Sequence, residues 1–118
     1  MLAVLNHEPG SEKLTPAMLA HAAGSAVNLA EVHTKLVSRG GDPEEAWEDA
    51  LSAVHEPVPF TAEQARIVGG LVTQTRAFGL SLGDRACLAL GFVLKAPVYT
   101  TDRSWKNLKL GVRIHVIR

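Results

Sequence analysis

The chain has 118 residues, of which 47% are hydrophobic and 20% are charged, and its twelve basic side chains balance twelve acidic ones. Length and composition indicate one soluble globular domain and exclude a disordered chain. The balanced charge excludes a global positive field, so a nucleic-acid partner would have to be held by a local basic patch. No segment approaches the roughly 20 apolar residues of a membrane span, and no secretory signal is recognisable. We therefore expect a cytoplasmic protein with no membrane partner.

Apolar and helical patterns alternate along the first half of the chain. The opening residues, MLAVL, are apolar but too few to be assigned to a strand or to a helix. The patterns that follow predict a short buried strand in residues 21–27, a helix from Asn28 to the glycine pair at 40–41, a helix capped by Asp42, and a short strand in residues 57–60.

The second half continues the alternation. Its patterns predict a helix from Thr61 to Phe78, a helix that starts at Ser81 and stops before Pro97, a strand over residues 98–100, and a strand over residues 112–117. The glycine pair at 69–70 weakens the first of these helices, and close packing against a neighbour is expected to compensate. The single Cys87 lies in a core-facing register and is predicted to be a reduced packing residue. The alternation predicts one α/β sandwich with a mostly parallel central sheet over residues 1–118.

Three acids, Glu31, Asp84 and Asp102, lie at predicted helix starts. Asp84 lies three residues after Ser81, which is the spacing of a capping box. Glu31 has the same spacing from Asn28, and Asp102 is a candidate N-cap. A shared site is the alternative, because Glu31 and Asp102 also follow predicted strands, at the edge where open α/β sheets place their sites. Carboxylates without His or Cys partners select hard cations such as Mg²⁺ or Mn²⁺, which suit phosphodiester hydrolysis.

Three longer segments resemble the PIN-domain ribonucleases of the VapC toxin type: SAVNLAEVHTKLVSRGGD, GLSLGDRACLALGFVLKAPVYTTDRSW and GVRIHVIR. The resemblance runs over most of the chain in the family's order. It implies a PIN-like three-layer sandwich and an Mg²⁺-dependent (or Mn²⁺-dependent) endoribonuclease whose partners are RNA and a cognate antitoxin protein. A homodimer is a further expectation from the family. On that pattern Glu31, Asp84 and Asp102 match three of the four family acids as metal ligands and catalytic residues, with Asp84 most directly on the metal.

The start of the chain departs from the family pattern. Family members open with a hydrophobic strand that ends in an aspartate, whereas Met1 falls in the region that resembles the helix after that strand. The resemblance therefore implies an N-terminally truncated PIN-like domain whose first strand and first metal aspartate are missing. MLAVL could fill the gap, a partner chain could supply a strand, or the sheet could split. The function then has two alternatives: a ribonuclease toxin, whose start codon would lie further upstream, or a catalytically impaired remnant that acts only as an antitoxin-binding or interaction module.

Basic and hydroxyl side chains near the acids are weaker candidates for contacts with RNA phosphates or with water at the site: Arg85, Arg103, Lys106, Thr100 and Thr101. An arginine beside an aspartate is more often a surface ion-pair partner than a substrate ligand. Trp105 is similarly predicted to pack in the core rather than to stack on a base. If the acids are only helix caps, the domain would serve another ligand or partner.

Overall fold

The computed structural model describes residues 3–6, 22–54 and 56–117. Within these ranges, short strands alternate with helices, as the sequence predicts. The strands are β1 (Ala3–Leu5), β2 (Ala22–Ser25), β3 (Pro57–Val58), β4 (Val98–Thr100) and β5 (Ile114–Val116). The α-helices are α1 (Ala26–Ser38), α2 (Pro43–Ala53), α3 (Ala62–Gly70), α4 (Val72–Thr75) and α5 (Leu82–Leu94), and two 3₁₀ helices span Arg76–Phe78 and Arg103–Asn107.

The strands form one sheet in the order β3-β2-β1-β4-β5, and every neighbouring pair in it is parallel. The predicted α/β architecture with a mostly parallel sheet is therefore confirmed. Because parallel strands point the same way, the carboxyl ends of the three inner strands meet at one edge. We call this the carboxyl edge and define it by Asn6, Ser25 and Thr100, all of which are buried.

The centre of the sheet is occupied, although the family resemblance implies that the central strand is missing. Val4 of β1 pairs with Ala23 on one side and with Val98 on the other. The N–H groups of Val4 and Asn6 donate to the carbonyls of Pro97 and Tyr99, each over 2.9 Å. Residues 3–5 thus fill the gap, because their backbone pairs with both neighbouring strands and the side chains of Val4 and Leu5 are buried.

Helix α1 begins earlier than the sequence pattern predicts. Ser25, the last residue of β2, is its N-cap, and the Ser25 hydroxyl accepts a hydrogen bond from the Val27 N–H over 3.1 Å. Asn28 therefore lies inside the first turn, and Glu31 lies in the second turn. The predicted capping box of Asn28 with Glu31 is wrong, because the serine immediately after the strand reaches the free helix amides first.

The other predicted caps are confirmed. Asp42 accepts hydrogen bonds from the N–H groups of Glu44 and Glu45 at the start of α2. Ser81 and Asp84 form a complete capping box at the start of α5. Asp102 caps the 3₁₀ helix Arg103–Asn107. Capping therefore accounts for two of the three acids as far as local structure is concerned.

The helix predicted from Thr61 to Phe78 is divided into α3, α4 and a 3₁₀ turn. The division comes directly after Gly69 and Gly70, where Leu71 turns into the core with only 5% of its surface exposed. A Cβ atom added to either glycine would meet no other atom within 4 Å. The prediction that these glycines pack closely against a neighbour is therefore wrong, and the pair instead lowers the helix propensity at the break.

Helix α5 is the centre of the core and positions Asp84. It packs against β1, β2 and β4 on one side and against α1 and α3 on the other. Cys87 of α5 and Trp105 of the 3₁₀ helix are fully buried, so their predicted packing roles are confirmed. The first turn of α5 lies at the carboxyl edge, where Asp84 meets Asn6. Among the described residues, no helix is long and apolar enough to cross a membrane.

Candidate acidic site

Asp84 is held by both of its carboxylate oxygens. Oδ2 accepts a hydrogen bond from the Ser81 N–H over 3.0 Å, while the Asp84 N–H donates to the Ser81 hydroxyl over 3.1 Å. Oδ1 accepts a hydrogen bond from the Asn6 side-chain amide over 3.3 Å. Asp84 is therefore a helix cap and also a member of the carboxyl edge, so the two interpretations of this acid do not exclude each other.

Glu31 reaches the same place from α1. Its carboxylate lies against Gly83, and a Cβ atom on Gly83 would overlap it. Burial raises the pKa of Glu31, the negative charge of Asp84 raises it further, and Lys35 acts in the opposite direction. The two carboxylates are thus close enough to repel each other, although their residues lie on different helices.

Asn28 is a third polar group at this glycine. Only 2% of its surface is exposed, and its amide nitrogen donates to the Gly83 carbonyl over 3.2 Å. Its side-chain oxygen is buried and has no hydrogen-bond partner among the described residues. Glu31, Asn28 and Asp84 therefore surround Gly83 with more oxygen acceptors than donors. A hard cation is the kind of ligand that such a set of oxygens fits.

Asp102 lies at the same edge, two residues after the end of β4, but its carboxylate is engaged locally. One oxygen accepts hydrogen bonds from the Ser104 N–H over 2.9 Å and from the Ser104 hydroxyl over 2.7 Å. Within the described part of the chain, no three His, Cys, Asp or Glu side chains converge as a group that could hold a metal ion. The structure therefore brings Glu31 and Asp84 together, and a three-acid metal site that includes Asp102 stays a prediction.

The weaker candidates differ in their surroundings. Arg85 is half-buried and donates to the Val68 carbonyl of α3 over 3.2 Å, which favours a structural role for this side chain. Thr100 and Thr101 are buried at the carboxyl edge. Arg103 and Lys106 are exposed on the 3₁₀ helix that follows Asp102. These two cations are therefore the members of the set that a substrate can reach directly from solvent.

Two site residues were missed by sequence reasoning, Asn6 and Asn28. Asn6 directly follows the apolar run that forms β1, and a polar residue after such a run is the signal that could have found it. Asn28 was interpreted as a helix cap, and the serine three residues earlier was the signal against that interpretation. Both are almost completely buried, and burial is a property that a single sequence does not display.

Comparison with solved structures shows the same fold in chains of toxin–antitoxin complexes. A chain of VapBC-5 from Mycobacterium tuberculosis is 20% identical, with a TM-score of 0.61 over 99% of this chain and 98% of that chain. A chain of VapBC2 from Rickettsia felis, bound to a DNA fragment from its promoter, is 18% identical with a TM-score of 0.66 over the full length of both chains. A toxin–antitoxin complex from Klebsiella pneumoniae gives 16% identity and a TM-score of 0.60 over 90% of this chain and 92% of that chain.

The likeness is one of fold, and it confirms the PIN-like α/β sandwich that the sequence resemblance predicts. The three neighbours all come from toxin–antitoxin complexes, as the resemblance to VapC-type proteins leads one to expect. No protein-family model and no curated protein matches the sequence.

Proposed function

We propose that this chain is a metal-dependent endoribonuclease toxin of a toxin–antitoxin pair. The observation that carries the proposal is the meeting of Glu31 and Asp84 at Gly83, on the carboxyl edge of a parallel sheet. The fold shared with chains of VapBC complexes supports it. An RNA substrate, a cognate antitoxin as partner, a cytoplasmic location and a homodimer all belong to this proposal.

Asp84 and Glu31 are the residues that would hold Mg²⁺ or Mn²⁺, with Asp102 as a further acid at the same edge. The set fits such an ion because it consists of carboxylates and an amide oxygen that has no hydrogen-bond partner among the described residues. Burial raises the pKa of Glu31 and the charge of Asp84 raises it further, and a bound dication would offset both effects. When bound, the ion supplies orientation of water and stabilisation of the negative charge that develops on a phosphate.

The protein's own residues prepare this site. The Ser81 amide and the Asn6 side chain fix the two oxygens of Asp84, so its orientation does not depend on a ligand. Gly83 lets the Glu31 carboxylate approach, because any larger residue would occupy the same space. Arg103 and Lys106 are exposed next to Asp102, where they would bind the phosphates of an RNA strand.

The direct test is cleavage of a single-stranded RNA pool by the purified protein with Mg²⁺, with Mn²⁺ and with EDTA. We expect cleavage only with a divalent ion, and a loss of at least about 100-fold for Asp84→Asn and for Glu31→Gln, because each removes a group that holds the ion. Glu48→Gln is the matched control, since Glu48 is an exposed acid on α2. Cleavage that persists in both site variants would reject the proposal.

A catalytically impaired interaction module is the second candidate, and Asn6 favours it. Asn6 occupies the end of the central strand, where the family resemblance implies an aspartate. If the unmodified protein does not cleave RNA because it has an amide at this position, Asn6→Asp should create metal-dependent cleavage. Without metal the same substitution should lower the melting temperature, because it buries a third carboxylate beside Asp84. Strong cleavage by the unmodified protein would reject this second candidate.

A further inference from the structure

The overall neutrality of the chain hides a separation of charge. The stretch from the end of α5 to β5 has five exposed cations and one acid, Asp102; we call these cations the basic flank, and they are Lys95, Arg103, Lys106, Lys109 and Arg113. Helix α2 with its cap is the opposite, with five exposed acids and no base between them: Asp42, Glu44, Glu45, Glu48 and Asp49. A local basic surface therefore exists despite the neutral total, which is what an anionic partner requires.

The basic flank leads away from the acidic site. Its 3₁₀ helix, Arg103–Asn107, follows Asp102 and packs against β5, which in turn pairs with β4. Arg113 lies at the other end of these strands, since its carbonyl accepts a hydrogen bond from the Val98 N–H over 2.8 Å. At about 3.3 Å per residue, β4 separates Arg113 from the level of Asp102 by roughly 13 Å. The flank thus covers one side of the sheet from the carboxyl edge to the opposite edge.

A pocket of about 320 Å³ lies at the far end of the basic flank. Its lining includes Phe92, Lys95 and Arg113, and it contains no acidic residue. Gly91 keeps α5 close to the sheet at this point, because a Cβ atom there would lie 2.5 Å from Cγ2 of Val98. The volume is at the lower end of the range of about 300–1,000 Å³ for ligand sites, so the pocket suits one small group.

Lys95 adopts a left-handed backbone conformation, which is unfavourable for any residue that has a side chain. It is the C-cap of α5 with φ 53°, in the left-handed region where glycine is the usual residue. A strained backbone at the rim of a pocket points to a use for the side chain that glycine could not supply. Here that side chain is one of the two cations of the pocket.

We propose that the basic flank binds single-stranded RNA and that the pocket holds one nucleotide of the strand. Lys95 and Arg113 would bind its phosphate, and the ring of Phe92 would contact the base. This inference rests on the proposed ribonuclease function, because the flank starts at the acidic site. It adds a second contact, away from the acidic site, that selects strands long enough to span the flank.

The test uses the Asp84→Asn protein without metal, so that bound RNA stays intact. Fluorescence anisotropy would compare unstructured RNAs of two and ten nucleotides. We expect Lys95→Gly and Arg113→Gln each to weaken binding of the longer RNA by about threefold to tenfold and to lower the salt dependence by about 0.7 per lost contact. The dinucleotide is too short to span the flank, so it should bind much more weakly than the longer RNA before either substitution is made. Arg66→Gln and Arg76→Gln, at exposed positions outside the flank, are the matched controls and should bind both RNAs normally.

Lys95→Gly also separates binding from folding. Glycine adopts the left-handed conformation without strain, so the melting temperature should stay the same or rise while RNA binding falls. A purely structural Lys95 would change the melting temperature and leave RNA binding unchanged. That result would overturn the proposal.

Three further outcomes would also overturn it. Normal binding of the longer RNA by both pocket variants would reject the pocket. An equal loss in the Arg66 and Arg76 controls would show that only total charge matters. A loss of binding to a poly-glutamate peptide but not to RNA would assign the flank to an acidic protein partner. If the unmodified protein binds RNA through the flank but never cleaves it, only the proposed ribonuclease function fails; if it binds no RNA at all, both fail.

Discussion

Glu31 and Asp84 lie beside the same glycine, but the surroundings of their carboxylates affect stability in opposite directions. Asp84 receives hydrogen bonds on both oxygens and completes the cap of α5, so it stabilises the fold that carries it. Glu31 is half-buried beside a like charge, and its burial and the charge of Asp84 both raise its pKa, so the folded state disfavours its ionised form. The difference teaches that Asp84 has a structural reason to be acidic and Glu31 does not. Glu31 is therefore stronger evidence than Asp84 for a functional site at this edge, because the fold does not need an acid at its position.

The largest expected effect on stability comes from removing the carboxylate of Asp84. Asp84→Ala should lower the free energy of unfolding by about 2–3 kcal/mol, because it removes a cap and leaves the buried Asn6 amide without its partner. Asp42→Ala, at a cap with no such second partner, should lower it by only about 1 kcal/mol. Urea unfolding at neutral pH in EDTA measures both. Equal losses would mean that the Asn6 contact contributes nothing.

A divalent ion held by both Glu31 and Asp84 should stabilise the folded state, and each acid should be needed for this effect. At a Mg²⁺ or Mn²⁺ concentration ten times the dissociation constant, binding to the folded state adds about 1.4 kcal/mol, or a rise of roughly 5 °C in melting temperature. Asp84→Asn and Glu31→Gln should each remove this rise, while Glu48→Gln should keep it. A melting curve of the unmodified protein that does not respond to millimolar metal would contradict a cation site made of these acids.

Without metal, Glu31→Gln should have the opposite sign to Asp84→Ala. The raised pKa of Glu31 means that the folded state binds its proton more tightly than the unfolded state does. The stabilisation from this proton is therefore present below the unfolded pKa and is lost as the pH rises through the folded value. Glu31→Gln should melt higher than the unmodified protein at pH 7 and should show less decline between pH 4 and 7. The change should be smaller than that of Asp84→Ala, because Glu31 is partly solvated. A lower melting temperature at pH 7 would contradict the pKa argument.

The smallest effect on stability is expected at Gly83. In Gly83→Ala, the new methyl group displaces the flexible end of Glu31, while alanine improves helix propensity by up to about 1 kcal/mol, so the net change should be near zero. The metal-dependent rise in melting temperature should nevertheless be lost, because Glu31 no longer reaches Asp84. Gly69→Ala, in open space on α3, is the control and should raise stability while keeping the metal response. A retained response in Gly83→Ala would mean that Glu31 does not need this approach.

Local sequence signals predicted local structure well. The caps at Asp42, Ser81 and Thr61 are confirmed, because side-chain hydrogen bonds to the first helix amides depend on residues only a few positions apart. The strand at residues 98–100 and the burial of Cys87 follow in the same way from short patterns. These features needed no knowledge of which parts of the chain meet in space.

The errors arise where distant residues decide. Three residues of β1 are too few for a periodic pattern, and their conformation is determined by two strands that lie far away in sequence. Asn6 could not be placed beside Asp84 for the same reason. At α1, Ser25 and Asn28 are both good caps, and the end of β2 decides between them. The assignment of Asp102 to a shared site is not one of these errors and stays a prediction, because it rests on the position of Asp102 after β4.

The central place of β1 also determines when the molecule can fold. Val4 cannot pair with Val98 until β4 has been synthesised. The hydrogen bond from Asn6 to Asp84 joins residues 78 positions apart. Pairings of such long range close large loops and slow the folding of a sheet. At a synthesis rate of about 5–20 residues per second, on the order of 5 to 20 s pass between the synthesis of β1 and the synthesis of β4. The strand is made early and paired late, so the acidic site assembles only after most of the chain has been translated.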